Sequence, residues 1–333
     1  MKALQIKGYG DVESNLAFNN IENPSIKENQ VLIEIFAAST NPIDYKIIEG
    51  LLKQVIKLNF PTGIGYDLSG IVRETGKSVK GFKVGDEVFS SVPQESRSSF
   101  AEFIAVDENM VCLKPKNLNF EEAASLPMVG LTTIQAFKRG NLKAGDRILI
   151  HAGSGGIGSF AIQYAKNIGA YVYTTTGTAN VGWVKELGAD RVIDYKTENY
   201  LDLVKDVDFV YDTLGEQFTI DAFKVIKVGG KVISLIGPVD DETAKEFGLN
   251  LIARIYLYFK RIKLTGKIKE KSAYYKLISM KPNSEDLEII KKLVEENKVK
   301  SIIDKIFPFS ESVNALLYQK SGRAKGKIII KMK

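Results

Sequence analysis

Six residues, Gly153-Ser154-Gly155-Gly156-Ile157-Gly158, follow the mostly apolar Ile148-Leu149-Ile150-His151 and precede Ser159-Phe-Ala-Ile-Gln-Tyr-Ala-Lys166. The spacing G-x-G-x-x-G is weak alone. Placed between a strand and a helix it becomes specific for a dinucleotide. Glycines allow the tight turn and let the backbone approach a pyrophosphate at the helix N-terminus, where unpaired N–H groups favour an anion. The alternative, an ordinary glycine-rich turn, accounts less well for four glycines with both flanks. The second strand of such a unit ends near residue 176, where an NAD enzyme offers Asp or Glu to the ribose 2′-hydroxyl. This chain has Thr174-Thr175-Thr176-Gly177-Thr178-Ala179-Asn180 there, hydroxyls and an amide with no carboxylate. The expectation is NADPH over NADH. The loop lacks the Arg or Lys of a strong 2′-phosphate site, and Tyr195 and Lys196, after the next strand, are the nearest candidates. Ser154, in the loop, and Thr176, at the strand end, are counted with the cofactor site.

Other chemistries are limited by residue counts. One Cys and one His in 333 residues exclude a four-Cys structural zinc site and the usual mixed Cys/His catalytic one. Serine–histidine hydrolysis would have to use His151, which reads as a packed strand residue. The single Cys112 rules out an internal disulfide and fits a reducing compartment. Hydrophobic content of 44% and charged content of 26% are ordinary for a globular chain, and the length allows two domains. No apolar run approaches bilayer length, and MKALQIKGYG has no signal-peptide core, so the cytosol is the expected location. A net charge of +6 suits an anionic cofactor or a nucleic acid and decides neither.

The elements needed to position the loop are legible. Residues 1 to about 120 carry short strands, Lys2–Ile6, Gln30–Ala38, Ser69–Glu74 and Glu87–Phe89, between turn signals, a pattern expected of a barrel-like β unit. Helices are expected at Asn119–Leu126 and Thr132–Arg139. Strands and helices then alternate through Lys231–Ile236, which means βαβ units and a parallel sheet. A last helix spans Glu285–Glu296, and the strand-like Gly326–Met332 returns to the first unit.

The segments Ala37–Lys46, Pro61–Val72, Gly81–Val88, Glu121–Pro127, Tyr211–Gly215, Gly229–Val232 and Gly322–Lys327, together with the glycine loop, run in order through nearly the whole chain. In them the chain resembles a medium-chain dehydrogenase/reductase of the zinc-independent quinone oxidoreductase branch, with a likeness to plant enone and alkenal reductases and to mitochondrial reticulon-interacting relatives. Where zinc-dependent cousins carry a catalytic Cys, this sequence has Asn41. Where they carry His-Glu, it has Tyr66-Asp67, and the cysteine-rich zinc lobe is absent. The resemblance implies an α/β architecture: a GroES-like β-rich catalytic domain (residues 1–123 and 285–333) and a Rossmann doubly wound parallel-sheet nucleotide-binding domain (124–284), with the site in the cleft. It implies that Gly155, Gly156 and Ile157 contact the pyrophosphate, and that Thr178, Asn180 and Tyr195 surround the 2′-phosphate. Ile236 and Gly237 approach the nicotinamide side, and Asn41, Lys46 and Thr132 border its ribose. Enone reductases usually carry lysine where Ala179 and Asn180 stand here. The implied reaction is NADPH-dependent hydride transfer to the activated C=C bond of an α,β-unsaturated carbonyl, or alternatively to a quinone, without zinc, in a homodimer. Lys46 and Tyr66 are candidate donors to the substrate oxygen. Lys46 reads equally as a solvated charge or phosphate contact, and Tyr66 as a pocket wall.

Leu249–Lys276 mixes apolar and aromatic residues with eight cations. One reading is a helix over the substrate cleft or at a subunit contact, followed by a basic β-hairpin. The other is a nucleic-acid or acidic-membrane patch, which keeps open a different class of function, a nucleotide-binding regulatory or RNA-binding protein of ζ-crystallin type. The apolar residues favour the first reading, with no membrane and no nucleic acid among the partners.

Overall fold

The structure is a computed structural model that describes residues 1–53 and 56–333. The chain divides into two compact units, Met1–Leu131 with Lys281–Lys333, and Thr132–Met280.

In the first unit the ten-residue strand Gln30–Ser39 organises a seven-stranded sheet. It pairs antiparallel with Asp67–Thr75 along its length, with Phe103–Asp107 at its start and with Lys327–Lys331 at its end. Val31, Ile33 and Ile35 alternate into a core with Leu68, Val72 and Val88, the period-2 pattern of a half-buried strand. A second core joins Leu4, Ile6 and Ile48 to Leu316, Ile328 and Ile330, so the last residues close over the first. The expected return of the tail is therefore met. The strands Leu16–Asn20, Phe103–Asp107 and Ile303–Pro308 and the helices Pro42–Ile48 and Ser312–Lys320 lie outside the elements expected from the sequence.

In the second unit six strands run parallel. Their order is Arg191–Asp194, Tyr171–Thr176, Arg147–Ile150, Val207–Asp212, Ile226–Ser234 and Tyr274–Leu277. This is the doubly wound arrangement, with its reversal beside the Arg147–Ile150 strand. The basic hairpin expected to follow a helix within Leu249–Lys276 is not formed. Leu251–Lys260 and Ile262–Lys271 are consecutive helices, and Tyr274–Leu277 is the sheet's edge strand. Helix formers dominate 262–271, and an i,i+3 pair, Lys267–Glu270, supports the helix. Ser272, at φ 46°, ends it in the left-handed conformation.

Candidate functional site

The glycine loop leaves the C-terminal end of Arg147–Ile150, at the reversal of strand order where doubly wound sheets bind ligands. A Cβ on Gly158 would lie 2.2 Å from the Ala152 carbonyl oxygen, and one on Gly153 2.3 Å from Thr174 Oγ1. Those two glycines are required by the strand–helix packing itself. A Cβ on Gly155 would meet nothing nearer than 3.4 Å, so this position instead keeps the approach to the helix clear. The helix Gly156–Ile168 starts with Gly155 as N-cap, without a side-chain cap and without an acidic residue in its first turn. Ser154, Gly155, Gly156 and Ile157 are half-buried around that helix end. Bare N–H groups, the positive end of the helix dipole and the absence of carboxylates fit a pyrophosphate.

At the next strand end Thr176 is buried, and its hydroxyl has no hydrogen-bond partner. Thr178 is exposed, Asn180 Oδ1 accepts from Trp183 Nε1 at 3.2 Å, and Tyr195 stands largely exposed with Lys196 Nζ 5.1 Å from its ring centre. The parallel register sets Thr176 beside Asp194. The acid missing from the loop therefore arrives from the neighbouring strand. Asp194 accepts from the Lys196 backbone N–H at 3.0 Å. The Thr178 hydroxyl, first, and then Lys196 hold its carboxyl below the ordinary aspartate range. The sequence argument from a missing carboxylate holds for the loop and not for its surroundings, because strand pairing brings together residues 18 apart in sequence.

The third component is a residue that sequence reasoning did not single out. Asp212, fully buried at the end of Val207–Asp212, accepts from the backbone N–H groups of Leu214 and Gly215 and from the hydroxyls of Thr219 and Ser234. Ser234 Oγ in turn accepts from the Gly237 N–H at 2.8 Å. The chain of bonds fixes the backbone that carries Ile236, itself half exposed, and Gly237, where a Cβ would lie 2.4 Å from the Tyr275 hydroxyl. Asp212 was visible only as part of the Tyr211–Gly215 segment. Thr132 is buried in the helix Pro127–Gly140. His151 is fully buried between the rings of Tyr200 and Phe218, as a packed residue, with centroids 5.0 and 5.3 Å away.

In the first unit, Asn41 caps the helix Pro42–Ile48, and its N–H donates to Asp44 Oδ2 at 2.7 Å. Asn41 is also part of a buried charged cluster. Lys327 Nζ donates to Asn41 Oδ1 at 2.6 Å, to the Thr40 carbonyl at 3.0 Å and to Asp67 Oδ2 at 3.2 Å. Asp67 also accepts from Asn41 Nδ2, Ser39 Oγ and the Met128 N–H. Burial pulls the Lys327 ammonium pKa down, and the Asp67 charge and hydrogen bond oppose that. Lys327 was quoted in the sequence only within the Gly322–Lys327 segment. Among the described residues no group of three or more His, Cys, Asp and Glu is disposed to hold a metal ion.

The two candidate oxygen donors differ. Tyr66 is 4% exposed, packs in the core with Leu4 and Phe100, and donates its O–H to Gln94 Oε1. Burial pushes its phenol pKa upward, so it stays a neutral donor that is already engaged. Lys46, in the last turn of the Pro42–Ile48 helix, is half-buried and its ammonium makes no hydrogen bond or ion pair with a described residue. Cys112 is buried with Sγ 3.1 Å from Glu288 Oε2 and belongs to neither site.

The alcohol dehydrogenase GroES-like domain model matches residues 27–116, and the zinc-binding dehydrogenase model matches residues 187–330. The chain is 37% identical to the 2-methylene-furan-3-one reductase of Solanum lycopersicum, over 99% of this chain and 79% of the relative. It is 36% identical to the chloroplastic NADPH-dependent alkenal/one oxidoreductase of Arabidopsis thaliana, with the same coverage. The solved quinone oxidoreductase from Coxiella burnetii superposes with a TM-score of 0.86 at 34% identity, over 100% of this chain and 99% of that one. With the glycine loop at the switch point of its parallel sheet and these likenesses along its whole length, the chain belongs to the medium-chain dehydrogenase/reductase family of oxidoreductases, in the branch of quinone and enone reductases.

Proposed function

We propose that the protein is an NADPH-dependent reductase of activated C=C bonds in enones and enals that works without zinc. The observation that carries this reading is the uncapped helix N-terminus at Gly155–Ile157, cleared of side chains and acids. The likeness to an alkenal/one oxidoreductase and a furanone reductase supports the substrate class.

When bound, the reduced nicotinamide supplies the hydride. The remaining work falls to this chain's own groups. Ser154, Gly155, Gly156 and Ile157 bind the pyrophosphate through backbone N–H groups. Thr176, Thr178, Asn180 and Tyr195 receive the 2′-phosphate, with Lys196 offsetting the Asp194 carboxylate beside it. Ile236 and Gly237, held by the Asp212–Ser234 relay, present the nicotinamide side. Thr132, Asn41 and Lys46 serve the ribose. As hydride reaches the β-carbon, the electron pair of the C=C bond moves toward the carbonyl oxygen. A donor that strengthens there as charge develops lowers the barrier. Lys46, an ammonium with no partner among the described residues, is the proposed donor. Tyr66 is a wall residue whose O–H is taken by Gln94. Solvent delivers the proton to the α-carbon. At the Asn41–Asp67 cluster the acceptors are already turned to the Lys327 ammonium, which supports a reaction that uses no metal there.

Quinone reduction is the second reading, favoured by the likeness to the Coxiella burnetii structure. A homodimer belongs to the proposal. The test is NADPH oxidation, followed by loss of near-ultraviolet absorbance, with a 2-alkenal, a cyclic enone, a 1,4-naphthoquinone and no substrate, and with NADH in parallel. Turnover of enal and enone with Lys46→Met reduced in kcat more than in KM supports the proposal. Quinone-only turnover replaces it with the second reading, and cofactor binding without any turnover overturns both.

A further inference from the structure

The helix Leu251–Lys260 is turned inside out. Its apolar residues recur at helical spacing, Ile252, Ile255, Tyr256 and Phe259, the pattern that normally marks the face a helix buries. Here that face is the exposed one: Ile252 is 80% exposed, Phe259 64% and Tyr256 59%, and none of the helix's ten residues is buried. The opposite side, with half-buried Ala253, Arg254 and Leu257, does the anchoring. Arg254 makes a bidentate pair with Asp241 at 2.9 and 3.1 Å, and Arg261 donates to the Val239 carbonyl. The following helix holds the pair to the core through Leu264.

Charge concentrates on the same segment. Between Leu249 and Lys276 stand eight Lys and Arg against the single Glu270, a net +7 where the whole chain carries +6. Arg254, Lys267 and Lys276 are paired with carboxylates. Lys260, Lys263, Lys269 and Lys271 have no ion pair with a described residue, and Lys260 lies 5.4 Å over the Tyr256 ring. No helix among the described residues is long and apolar enough to cross a membrane.

We propose that this face docks in the plane of an anionic lipid bilayer. Ile252, Ile255, Tyr256 and Phe259 enter the boundary between headgroups and acyl chains, and the unpaired lysines meet the anionic headgroups. An apolar, aromatic stripe beside a basic flank is what an interfacial helix requires. A second copy of this chain suits the face less well, because an isologous contact would bring two copies of this +7 segment together with one Glu in each to offset the charge. A nucleic acid would use the rings and the cations but leave Ile252 and Ile255 without a stacking role.

The experiment is flotation of the full-length protein with vesicles of phosphatidylcholine alone and of phosphatidylcholine with phosphatidylglycerol, at low and high salt. Two variants, Ile252→Glu/Phe259→Glu and Lys260→Gln/Lys263→Gln, are run beside it, with NADPH turnover as the control for folding. The expected result is salt-sensitive flotation with the anionic vesicles only. The glutamate variant abolishes it, and each lysine replaced weakens it about fivefold. Absence of flotation overturns the proposal, as does flotation that neither variant changes. A self-association in sedimentation velocity that Ile252→Glu/Phe259→Glu removes, without vesicle binding, assigns the face to a second copy. Retention of a single-stranded RNA oligonucleotide without vesicle binding assigns it to nucleic acid, and either result overturns the lipid assignment.

Discussion

Asp67 and Asp212 are both fully buried carboxylates, one at the start of a strand in the first unit and one at the end of a strand in the second. They are satisfied in opposite ways. Asp67 meets a buried ammonium, Lys327, that comes from 260 residues away. Among the described residues Asp212 meets no cation in hydrogen-bonding range; two N–H groups and two hydroxyls, all within 22 residues, share its charge. A charge balanced by a charge depends on one distant residue. A charge balanced by dipoles is spread over several nearby ones, and each loss is smaller. The first arrangement ties the two ends of the chain together beside Asn41. The second stiffens the local loop that carries Ile236 and Gly237.

The sharpest break of this comparison is Lys327→Met. It leaves Asp67 charged and buried without a counter-ion, which costs about 3–5 kcal/mol, and it releases Asn41. Chemical denaturation should show a loss of that size, largely recovered in Asp67→Asn/Lys327→Met. A single-variant loss under about 1 kcal/mol would mean that water reaches the cluster. Thr219→Val removes one of four donors from Asp212 and should cost about 1.5–3 kcal/mol, the value of a hydrogen bond to a charged group. It should also raise the KM for NADPH by freeing the backbone at Ile236 and Gly237. An unchanged KM would separate Asp212 from the cofactor site.

Acid separates the units further. In the first unit burial pushes the Asp44 carboxyl up to about 7, with Asp67 adding to the shift and Lys327 and Arg97 opposing it. Its folded pKa exceeds the unfolded value near 3.8, so its contribution is full below about pH 4 and is lost as pH rises through 7. In the second unit burial pulls His151 down to about 4 against the charges of Asp212 and Asp221. Its contribution is present above about pH 6.5 and lost as pH falls through 4. Thermal scans should therefore find Asp44→Asn gaining on wild type toward pH of about 8, and His151→Phe gaining toward pH of about 5. Parallel pH profiles for the two variants would break the contrast. The smallest effect expected is at the cofactor edge. Asp194→Asn should favour NADPH over NADH by up to about fivefold, the scale of one solvent-screened charge interaction of about 1 kcal/mol, read from the ratio of kcat/KM.

Local signals carried much of this reading. The strand–glycine–helix order around Gly153–Gly158, the alternation along Val31–Phe36 and the βαβ rhythm after residue 120 are consequences of short-range sterics and periodicity. The likeness spread over the whole chain lies in the same residues. The elements passed over have mixed composition: Leu16–Asn20 and Ile303–Pro308 become strands because a neighbour pairs with them. The hairpin expected within Leu249–Lys276 was an error of the same origin, since basic and apolar residues alternate as readily along a helix flank as along a strand.

Residue identity and near spacing were enough to read the two unit types, the glycine loop and the scarcity of metal ligands. Only the tertiary structure set the Asp194 carboxylate beside Thr176 and Thr178, through strand pairing and no local signal. It alone placed Lys327 between Asn41 and Asp67, a contact that no spacing rule can foresee. It also decided which way Leu251–Lys260 faces: an apolar stripe has the same period whether it points into a core or out of it, and the contacts of Arg254 with Asp241 and of Arg261 with Val239, with Leu264 packed in the core, turn it outward.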